Sequence, residues 1–239
     1  MEASILCGGE GTRLRPLTYS VPKPLLPLGA KPILEVLIGR MKDQGFDTFY
    51  LMVNYKAEMI RSYFGSGSAL GVRIEYFEEH EKRGTAGPLC ELKNRMKNSF
   101  VVLNADLLTS IRFNDLLAFH TEHGADMTVA LKRFKKRIAY GVAETSETHA
   151  LLRIDEKPSM TFLINSGIYA ITPKVLKLIP AKGLFQMTDL INKAIKEGMN
   201  VIGFEFEEPW RDIGRLDDYM KAVGEIENGL EGDTDGLFL

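Results

Sequence analysis

The stretch LCGGEGTRLRPLTYSVPKPLLPL near the N-terminus combines three closely spaced glycines with cations that could bind phosphate. Gly8, Gly9 and Gly11 let the backbone approach a ligand closely and point N–H groups at anionic oxygens. Arg13 offers a planar fork of donors, and Lys23 offers a compact point charge between two prolines. Phosphoryl and nucleotidyl transfer need such positive charge where negative charge develops. The stretch therefore predicts a phosphate-binding loop.

Two common phosphate-binding glycine motifs do not fit this loop. The pattern G-x-x-x-x-G-K-[ST] is absent, and Leu14 stands where G-x-G-x-x-G needs its third glycine. A kinase, a GTPase or a dehydrogenase is therefore disfavoured. A lone glycine cluster is more often a plain turn, but the ordered combination GG-x-GTRL-x-PLT and KP-x-LP favours a functional loop.

Two aspartates supply candidate ligands for a divalent cation. Asp106 ends the apolar run FVVLNAD, and Asp212 lies in WRDIGRLDDY after the last predicted strand. Mg²⁺ takes one or two carboxylates and completes its shell with water and substrate phosphate. Residues distant in sequence can meet at one edge of a parallel sheet, so we expect both aspartates beside the glycine loop. Each alone is equally well explained as a turn or helix-capping residue.

The elements that must position these residues alternate between strands and helices. Short apolar runs predict strands at 3–7, 48–54, 72–77, 100–106 and 126–132. Helical spacing of apolar residues predicts helices at 32–45, 56–65, 85–96 and 113–124. Such alternation is typical of an α/β fold with a Rossmann-like, mostly parallel sheet flanked by helices.

The rhythm changes from about residue 138. Three shorter, partly antiparallel strands are predicted to cover the mouth of the sheet, at 140–145, 151–157 and 161–171. Helices are predicted at 173–179, 187–198 and 215–229, and a further strand at 200–206. We see no clear linker, so we expect one domain over residues 1–229 and a frayed tail over 230–239.

The composition is that of an ordinary globular protein. Of the 239 residues, 45% are hydrophobic and 26% charged, and a net charge of −2 gives no general attraction to nucleic acid or an anionic membrane. No apolar run has the length of a membrane span, and a signal-peptide pattern is absent. Cys7 and Cys90 predict reduced, buried thiols. We therefore expect a cytoplasmic protein without nucleic-acid or membrane partners.

Six motifs, in order along the chain, resemble the sugar-1-phosphate nucleotidyltransferase family. They are GGEGTRLRPLT…KPLLPLGAKPIL, GTAGPL, LNADLL, DEKP, NSGIYA and WRDIGRLDDY, between residue 1 and about residue 222. The resemblance implies a Mg²⁺-dependent enzyme that makes a nucleotide sugar from a nucleoside triphosphate and a sugar 1-phosphate. A sugar phosphate oxygen would attack the α-phosphate in line, and pyrophosphate would leave. No general base is needed, because a sugar phosphate is largely dianionic near pH 7.

The resemblance also implies roles for individual residues. Arg13 would stabilise the departing pyrophosphate, and Lys23 would lie between the α-phosphate and the incoming sugar phosphate. The implied nucleotide contacts are Leu6, Gly8, Gly9, Gly11, Thr12, Glu79, Gly84 and Thr85. The implied sugar-phosphate contacts, in the smaller, partly antiparallel region, are Gly141, Glu156, Lys157, Asn165 and Gly167. Asp106 and Asp212 would bind Mg²⁺, although relatives often carry glycine where this chain has Ala105.

Glu79 stands five residues before the first glycine of GTAG, where the family tends to read the base edge. A carboxylate only accepts hydrogen bonds, so it can take both adjacent N–H donors of guanine, whereas uracil would present an acceptor. GTAGPL and NSGIYA resemble guanylyltransferases, including mannose-1-phosphate enzymes. Residues 53–72 resemble the guanylyltransferases that activate glucosamine 1-phosphate for legionaminic acid synthesis. We expect GTP; the alternative is that Glu79 belongs to an acidic surface run, 78–81.

Other functions stay open at this point. The chain could be a uridylyl- or thymidylyltransferase of the same family, or a catalytically silent relative that binds a nucleotide sugar and regulates a partner enzyme. The presence of Arg13, Lys23, Asp106 and Asp212 favours an active enzyme. Dimers are common among relatives, so a homodimer is a further expectation. The sequence does not fix which sugar 1-phosphate is used.

Three remaining features are predicted to be structural. His120 and His123 could ligate metal, but a solvated helix face is favoured because no cysteine or third histidine joins them. The basic run KRFKKR at 132–137 predicts a solvated loop near anionic substrates rather than a nucleic-acid site. Trp210 is predicted to pack in the core beside Asp212.

Overall fold

A seven-stranded sheet flanked by helices forms the centre of the computed structural model, which describes residues 1–79 and 81–231. The strands are β1 Glu2–Leu6, β2 Pro27–Leu28, β3 Lys31–Pro32, β4 Thr48–Val53, β5 Arg73–Glu78, β6 Phe100–Asn104, β7 Leu107–Thr109, β8 Met127–Arg137, β9 Val142–Thr145, β10 Leu151–Asp155, β11 Ser159–Ile171, β12 Val201–Phe206 and β13 Trp210–Asp212. The α-helices are α1 Leu17–Ser20, α2 Ile33–Asp43, α3 Ala57–Phe64, α4 Phe113–Glu122, α5 Pro173–Leu176, α6 Met187–Lys196 and α7 Leu216–Glu231. Short 3₁₀ helices cover Thr12–Leu14, Lys23–Leu25, Ser68–Leu70 and Gly87–Leu92. From residue 232 the predicted tail lies outside the described residues.

The main sheet has the strand order β12-β8-β11-β6-β1-β4-β5. Adjacent strands are parallel except at β11, which runs antiparallel to both of its neighbours, β6 and β8. This confirms the predicted α/β fold with a mostly parallel sheet. Because β1, β4 and β6 are parallel neighbours, the loops that follow them open at one edge of the sheet.

Successive side chains of the central strands point to opposite faces of the sheet and pack in two hydrophobic cores, one on each face. In β4, Phe49 and Leu51 pack on one face and Tyr50 and Met52 on the other. The first face is covered by α2, α3 and α4, and the second by the 87–92 helix, α5 and α6. Burial on both faces is why these strands read as continuous apolar runs in the sequence.

A third, smaller core joins the glycine loop to the C-terminal part of the chain. Leu14 and Leu26 pack there with Ile213 and Tyr219, and the Tyr219 hydroxyl donates to the backbone oxygen of Pro27 at 2.7 Å. Leu14 directly follows Arg13, and Ile213 directly follows Asp212. Packing these apolar neighbours together therefore brings the two charged residues to the same place.

Two predictions for the middle of the chain are wrong. The segment 161–171 does not cover the mouth of the sheet, because β11 enters the main sheet between β6 and β8. The run 132–137 is not a loop, because it extends β8 and pairs with β11, with Phe134 opposite Phe162. Phe134 is the one apolar residue of this run, and β8 is exposed from Arg133 onward, so the pairing with β11 rather than an apolar face makes the run a strand. The strands predicted at 140–145 and 151–157 form a separate hairpin, β9–β10.

The segment 85–96 contains a 3₁₀ helix, Gly87–Leu92, rather than the predicted α-helix. The backbone N–H groups of Ala86 and Gly87 both donate to the carbonyl of Phe185, at 3.0 Å each. These two hydrogen bonds to a distant segment fix the backbone at the start of the helix. The segment therefore forms a 3₁₀ helix, although the spacing of its apolar residues predicts an α-helix. No helix in the described part of the chain is long and apolar enough to cross a membrane.

Candidate active site

A cavity of about 500 Å³ opens at the carboxyl ends of β1, β4 and β6. Its wall contains Leu6, Asn54 and Asn104, which lie at or just after these strand ends. The loops after β1 and β5 form most of the rest of the wall. All the residues predicted to contact the nucleotide line this cavity, namely Leu6, Gly8, Gly9, Gly11, Thr12, Glu79, Gly84 and Thr85. The structure thus brings together two predicted segments that are distant in sequence, while their contact with a nucleotide stays a prediction.

Gly11 and Gly9, both in the loop after β1, have different surroundings. Gly11 has φ +61°, and a Cβ there would lie 2.8 Å from Cγ2 of Thr18. The Thr18 hydroxyl donates to the Gly11 carbonyl at 2.9 Å and so fixes the turn. A Cβ on Gly9 would have no described atom within 4 Å, since this residue faces open space. The backbone at Gly9 is therefore free to approach a ligand.

Glu79 follows β5 and lies beside the glycine loop in the wall of the cavity. Its Oε2 accepts a hydrogen bond from the backbone N–H of Arg83 at 3.2 Å, and a Cβ on Gly8 would lie 2.9 Å from its Oε1. The Asn54 amide donates to the Glu79 backbone oxygen at 2.5 Å. Burial raises the pKa of Glu79 above its usual value, against the opposing effect of Arg83. This carboxylate is thus partly desolvated and held at a fixed position beside the loop.

Gly84 and Thr85 connect the cavity to the start of α6. Gly84 has φ +79°, and a Cβ there would lie 2.6 Å from the Phe185 carbonyl oxygen. The backbone N–H and the hydroxyl of Thr85 both donate to Oε1 of Gln186, and the hydroxyl accepts from the backbone N–H of Met187 at 2.7 Å. The Thr85 hydroxyl is therefore already engaged with protein groups.

Asp106 and Asp212 meet beside Lys23. Strand β7 begins just after Asp106 and pairs with β13, which ends at Asp212, and the Ile213 N–H donates to the Asp106 carbonyl at 2.9 Å. The Lys23 ammonium forms an ion pair with Oδ2 of Asp106 and lies 3.9 Å from Oδ1 of Asp212. The structure therefore places the two aspartates together beside the glycine loop, as predicted.

Arg13 completes this charged group. A Cβ on Gly214 would lie 3.4 Å from Nη1 of Arg13 and 3.3 Å from Oδ2 of Asp212, so these side chains border the same spot. Burial and the nearby Asp106 carboxylate raise the pKa of Asp212 to about 6. Lys23 and Arg13 oppose that rise. Burial is the largest cause, so the net rise at Asp212 reflects the loss of solvent around its carboxylate as well as the neighbouring negative charge.

The oxygens at this point suit a hard divalent cation. Oδ1 of Asp106 and Oδ1 of Asp212 are buried, and neither accepts a hydrogen bond from any described residue. Orphaned buried carboxylate oxygens are unfavourable unless a cation satisfies them. One or two carboxylates, with water and phosphate in the remaining positions, is the usual protein contribution to a Mg²⁺ site. Residues 1–79 and 81–231 contain no cluster of three or more His, Cys, Asp or Glu with metal-binding geometry.

The predicted sugar-phosphate residues fall into two groups, neither of which lines the 500 Å³ cavity. In the first, Asn165 Oδ1 accepts from the Gly167 N–H at 3.0 Å, and Gly167 packs against Asn104, which does line the cavity. In the second, a Cβ on Gly141 would lie 3.2 Å from Oε2 of Glu156, whose Oε1 is 3.7 Å from the Lys157 ammonium. This second group is exposed at the β9–β10 hairpin.

Residues 2–229 match the sequence family described as Nucleotidyl transferase. The chain belongs to the nucleotidyl transferase family. This confirms the resemblance predicted from the six motifs. The family match runs from β1 into α7.

Relatives in the nucleotidyl transferase family carry several different names. The chain is 33% identical over 242 residues to the UTP–glucose-1-phosphate uridylyltransferase of Synechocystis, covering 93% of this chain and 62% of the relative. It is 32% identical over 235 residues to the mannose-1-phosphate guanylyltransferase of Mycobacterium tuberculosis, covering 96% and 66%. It is 35% identical over 230 residues to the mannose-1-phosphate guanylyltransferase catalytic subunit beta of Xenopus tropicalis, covering 93% and 64%. The chain spans less than two thirds of the length of these relatives.

Solved structures share the fold. HddC from Yersinia pseudotuberculosis superposes with a TM-score of 0.73 at 25% identity, covering 93% of this chain and 98% of that one. A putative glucose-1-phosphate thymidylyltransferase from Bacillus anthracis has a TM-score of 0.76 at 24% identity, covering 100% and 98%. The nucleotidyl transferase fold therefore extends over almost all of this chain.

Three uncharged polar residues that line this cavity escaped the sequence analysis. Asn54 and Asn104 follow β4 and end β6, and Gln186 precedes α6. The available signal was the position of the two asparagines at the ends of parallel strands, where ligands bind in α/β sheets. Gln186 gave no such signal, because its role arises from the distant contact with Thr85.

The structure corrects two assignments away from the cavity. His120 does not lie on a solvated helix face; it is buried, and its ring nitrogens bond the hydroxyls of Thr128 at 2.8 Å and Ser99 at 3.1 Å. Cys90 is only partly buried, and its sulfur lies 2.9 Å from Nη2 of Arg83. In contrast, Trp210 packs against the core as predicted, and its indole N–H donates to the Ser166 carbonyl at 3.0 Å.

Proposed function

We propose that this chain transfers GMP from GTP to a sugar 1-phosphate, giving a GDP-sugar and pyrophosphate. The observation that carries this proposal is the Glu79 carboxylate, which lies in the wall of the 500 Å³ cavity beside Gly8 of a phosphate-type glycine loop. The cavity is large enough for a nucleotide. Among the relatives, those named mannose-1-phosphate guanylyltransferase support the choice of GTP.

Glu79 supports guanine through its chemistry. Guanine presents two adjacent donors, N1–H and the 2-amino group, and a carboxylate can accept from both. Because burial raises the pKa of Glu79, its charged form lacks solvation that two N–H donors would restore. A uracil edge would present an acceptor to the same carboxylate and would be penalised.

The glycine loop and Arg13 would hold the triphosphate. The open backbone at Gly9 can approach phosphate oxygens closely, and Gly8, Gly11 and Thr12 line the same cavity. Arg13 lies beside Asp212, where its guanidinium would stabilise charge on the departing pyrophosphate. These contacts orient the α-phosphate for in-line attack by an oxygen that needs no general base.

Asp106 and Asp212 would hold Mg²⁺ through their unpartnered Oδ1 atoms. When bound, the ion would neutralise phosphate charge and align the reacting groups. Lys23 would contact the α-phosphate and the incoming sugar phosphate. Asn165 and Gly167 would line the sugar pocket, with Gly141, Glu156 and Lys157 contributing from the β9–β10 hairpin.

The test is pyrophosphate release from the purified chain. GTP, UTP, dTTP, CTP and ATP are each combined with a panel of sugar 1-phosphates, with Mg²⁺ or with excess EDTA. We expect Mg²⁺-dependent release with GTP and one or a few sugars, and none from the Asp106→Asn variant. Release with UTP or dTTP alone would keep the reaction and reject the role of Glu79. Nucleotide binding without release from any pair would instead support the silent, regulatory alternative.

A further inference from the structure

The Lys23 ammonium lies where the two acidic side chains of the site converge. It pairs with Oδ2 of Asp106 and lies 3.9 Å from Oδ1 of Asp212, and only 11% of its side chain is exposed. A buried position of this kind is unusual for lysine unless a charge partner holds it there. The ammonium therefore compensates part of the negative charge that a divalent cation would otherwise compensate.

The Cβ of Lys23 lies close to the glycine loop. Pro22 and Pro24 flank the residue, and a Cβ on Gly11 would lie 3.3 Å from the Lys23 Cβ. A cavity of about 50 Å³ is lined by Gly9 of the loop, by Lys23 and by Asp106, among others. The flexible stem of lysine can thus turn its ammonium from the aspartates to the loop while the backbone stays in place.

We propose that Lys23 is an internal counter-cation of the Asp106–Asp212 pair, and that a divalent cation displaces its ammonium toward the glycine loop. This inference rests on the proposed metal site. The proposed ion would bind the Oδ1 atoms of the two aspartates, while the ammonium pairs with Oδ2 of Asp106 and lies 3.9 Å from Oδ1 of Asp212. Two positive groups so close together on one carboxylate pair repel each other, so the arriving ion and the ammonium compete. The ammonium that leaves Asp106 becomes available to phosphate oxygens at the loop, which couples metal loading to the assembly of the phosphate site.

The competition has a consequence that a purely catalytic lysine would not have. If Lys23 opposes the ion, its removal should strengthen divalent-cation binding in the absence of substrates. If Lys23 only contacts phosphate, its removal should leave cation affinity unchanged. If it only supports the local structure, its removal should weaken cation binding by disordering the carboxylates.

The experiment is a titration of the full chain with Mn²⁺ as the probe, without nucleotide or sugar phosphate, with free Mn²⁺ measured by electron paramagnetic resonance. For Lys23→Met we expect a Kd for Mn²⁺ at least about tenfold below that of the wild type, because a unit charge has been removed a few ångströms from the ion. Lys23→Arg keeps the charge and should leave the Kd near the wild-type value. Lys31→Met is the matched control, because Lys31 is exposed and pairs with Glu35 at 3.8 Å.

A thermal melt with and without Mn²⁺ supplies a second readout. Without the ion, we expect Lys23→Met to have a lower melting temperature than the wild type. Adding Mn²⁺ should raise the melting temperature of the variant by more than that of the wild type, because a tighter ligand stabilises the folded state more. Lys23→Gln serves if the methionine variant does not fold. Asp106→Asn should abolish the high-affinity binding in both backgrounds and so locate the signal at this site.

An unchanged or weaker affinity in the Lys23 variants would overturn the proposed competition. That result can occur in a chain that releases pyrophosphate normally, which would leave the proposed function intact. Conversely, stronger Mn²⁺ binding in Lys23→Met from a chain that releases no pyrophosphate would retain the competition and reject the proposed reaction.

Discussion

A Cβ on Gly167 would lie 2.6 Å from Nδ2 of Asn104. Gly167 lies in β11 and Asn104 ends β6, so this contact joins the antiparallel strand of the main sheet to the wall of the 500 Å³ cavity. Gly167 also has φ +77°, a conformation that side chains other than glycine rarely adopt. Two separate requirements, space for Asn104 and a left-handed backbone, therefore fix glycine at this position.

Gly167→Ala should destabilise the protein and displace Asn104. The left-handed backbone costs about 1–2 kcal/mol for a non-glycine residue, and overpacking adds about 1–3 kcal/mol. We expect a loss of roughly 2–5 kcal/mol in the free energy of unfolding, measured by urea denaturation. Nucleotide affinity, measured by calorimetry, should fall as well, because Asn104 moves in the cavity wall.

Gly198→Ala is the matched control for this prediction. Gly198 has φ +73°, but a Cβ there would meet no described atom within 4 Å. Its variant should therefore show only the cost of the left-handed backbone and normal nucleotide affinity. Equal losses of stability in the two variants would remove Asn104 from the explanation.

Gly9→Ala should separate ligand binding from folding. A Cβ on Gly9 has no described protein atom within 4 Å, so the fold loses nothing. If phosphate lies against this backbone, the added methyl group occupies the space of the ligand. We expect an unchanged or slightly higher melting temperature and at least about tenfold weaker nucleotide binding by calorimetry, since one clash commonly costs more than 1.4 kcal/mol.

Gly39→Ala provides the comparison. Gly39 lies within α2, and a Cβ there also meets no described atom within 4 Å. Alanine should stabilise this helix by about 0.5–1 kcal/mol and leave nucleotide affinity unchanged. Normal nucleotide binding by the Gly9→Ala variant would mean that phosphate does not approach this part of the loop.

The sequence was sufficient where local pattern and fold agree. Burial on both faces gives β1, β4 and β6 continuous apolar runs, and these runs predicted a parallel sheet with its ligand at the strand ends. The same rule placed Asp106 beside the glycine loop. The rule did not predict how Asp212 reaches this place, which is through a three-residue pairing between β7 and β13. So short a strand carries no periodic signal.

The failures concern long-range pairing. The run 132–137 has no apolar face, yet it is a strand because β11 supplies its hydrogen bonds. The spacing of His120 and His123 indicated one exposed face, but α4 buries His120 against Thr128 of β8. In both cases a partner distant in sequence decides the outcome, and neighbouring residues do not encode it.

His120 should make stability depend on pH. Burial lowers the pKa of its imidazole in the folded state, against the weaker effect of Asp126. Below an unfolded-state pKa of about 6.5, the unfolded chain binds a proton that the folded chain does not, so stability falls as pH falls. We expect His120→Gln to be less stable than the wild type at pH 7.5. The difference between their free energies of unfolding should shrink by up to about 1.4 kcal/mol at pH 5.5. Urea denaturation at both pH values measures this difference.

His123→Gln tests whether the effect belongs to His120. His123 lies on the same part of the chain, is exposed, and its Nδ1 lies 2.9 Å from the Phe119 carbonyl oxygen. The pH dependence would not belong to His120 if His123→Gln showed a similar change in its stability difference from the wild type, or if His120→Gln showed none. The expected pattern is a shrinking difference for the buried histidine alone.

Glu79→Gln should move the base preference from GTP toward UTP. A glutamine amide offers one acceptor and one donor, which match uracil, whereas its NH₂ group opposes a guanine donor. Leaving one donor unpaired costs about 1–3 kcal/mol, so the ratio of kcat/KM for GTP over UTP should fall roughly 10- to 100-fold. Glu78→Gln is the control, because Glu78 pairs with Arg61 at 3.0 Å and does not line the 500 Å³ cavity. Equal losses for GTP and UTP would mean that Glu79 supports the cavity without reading the base.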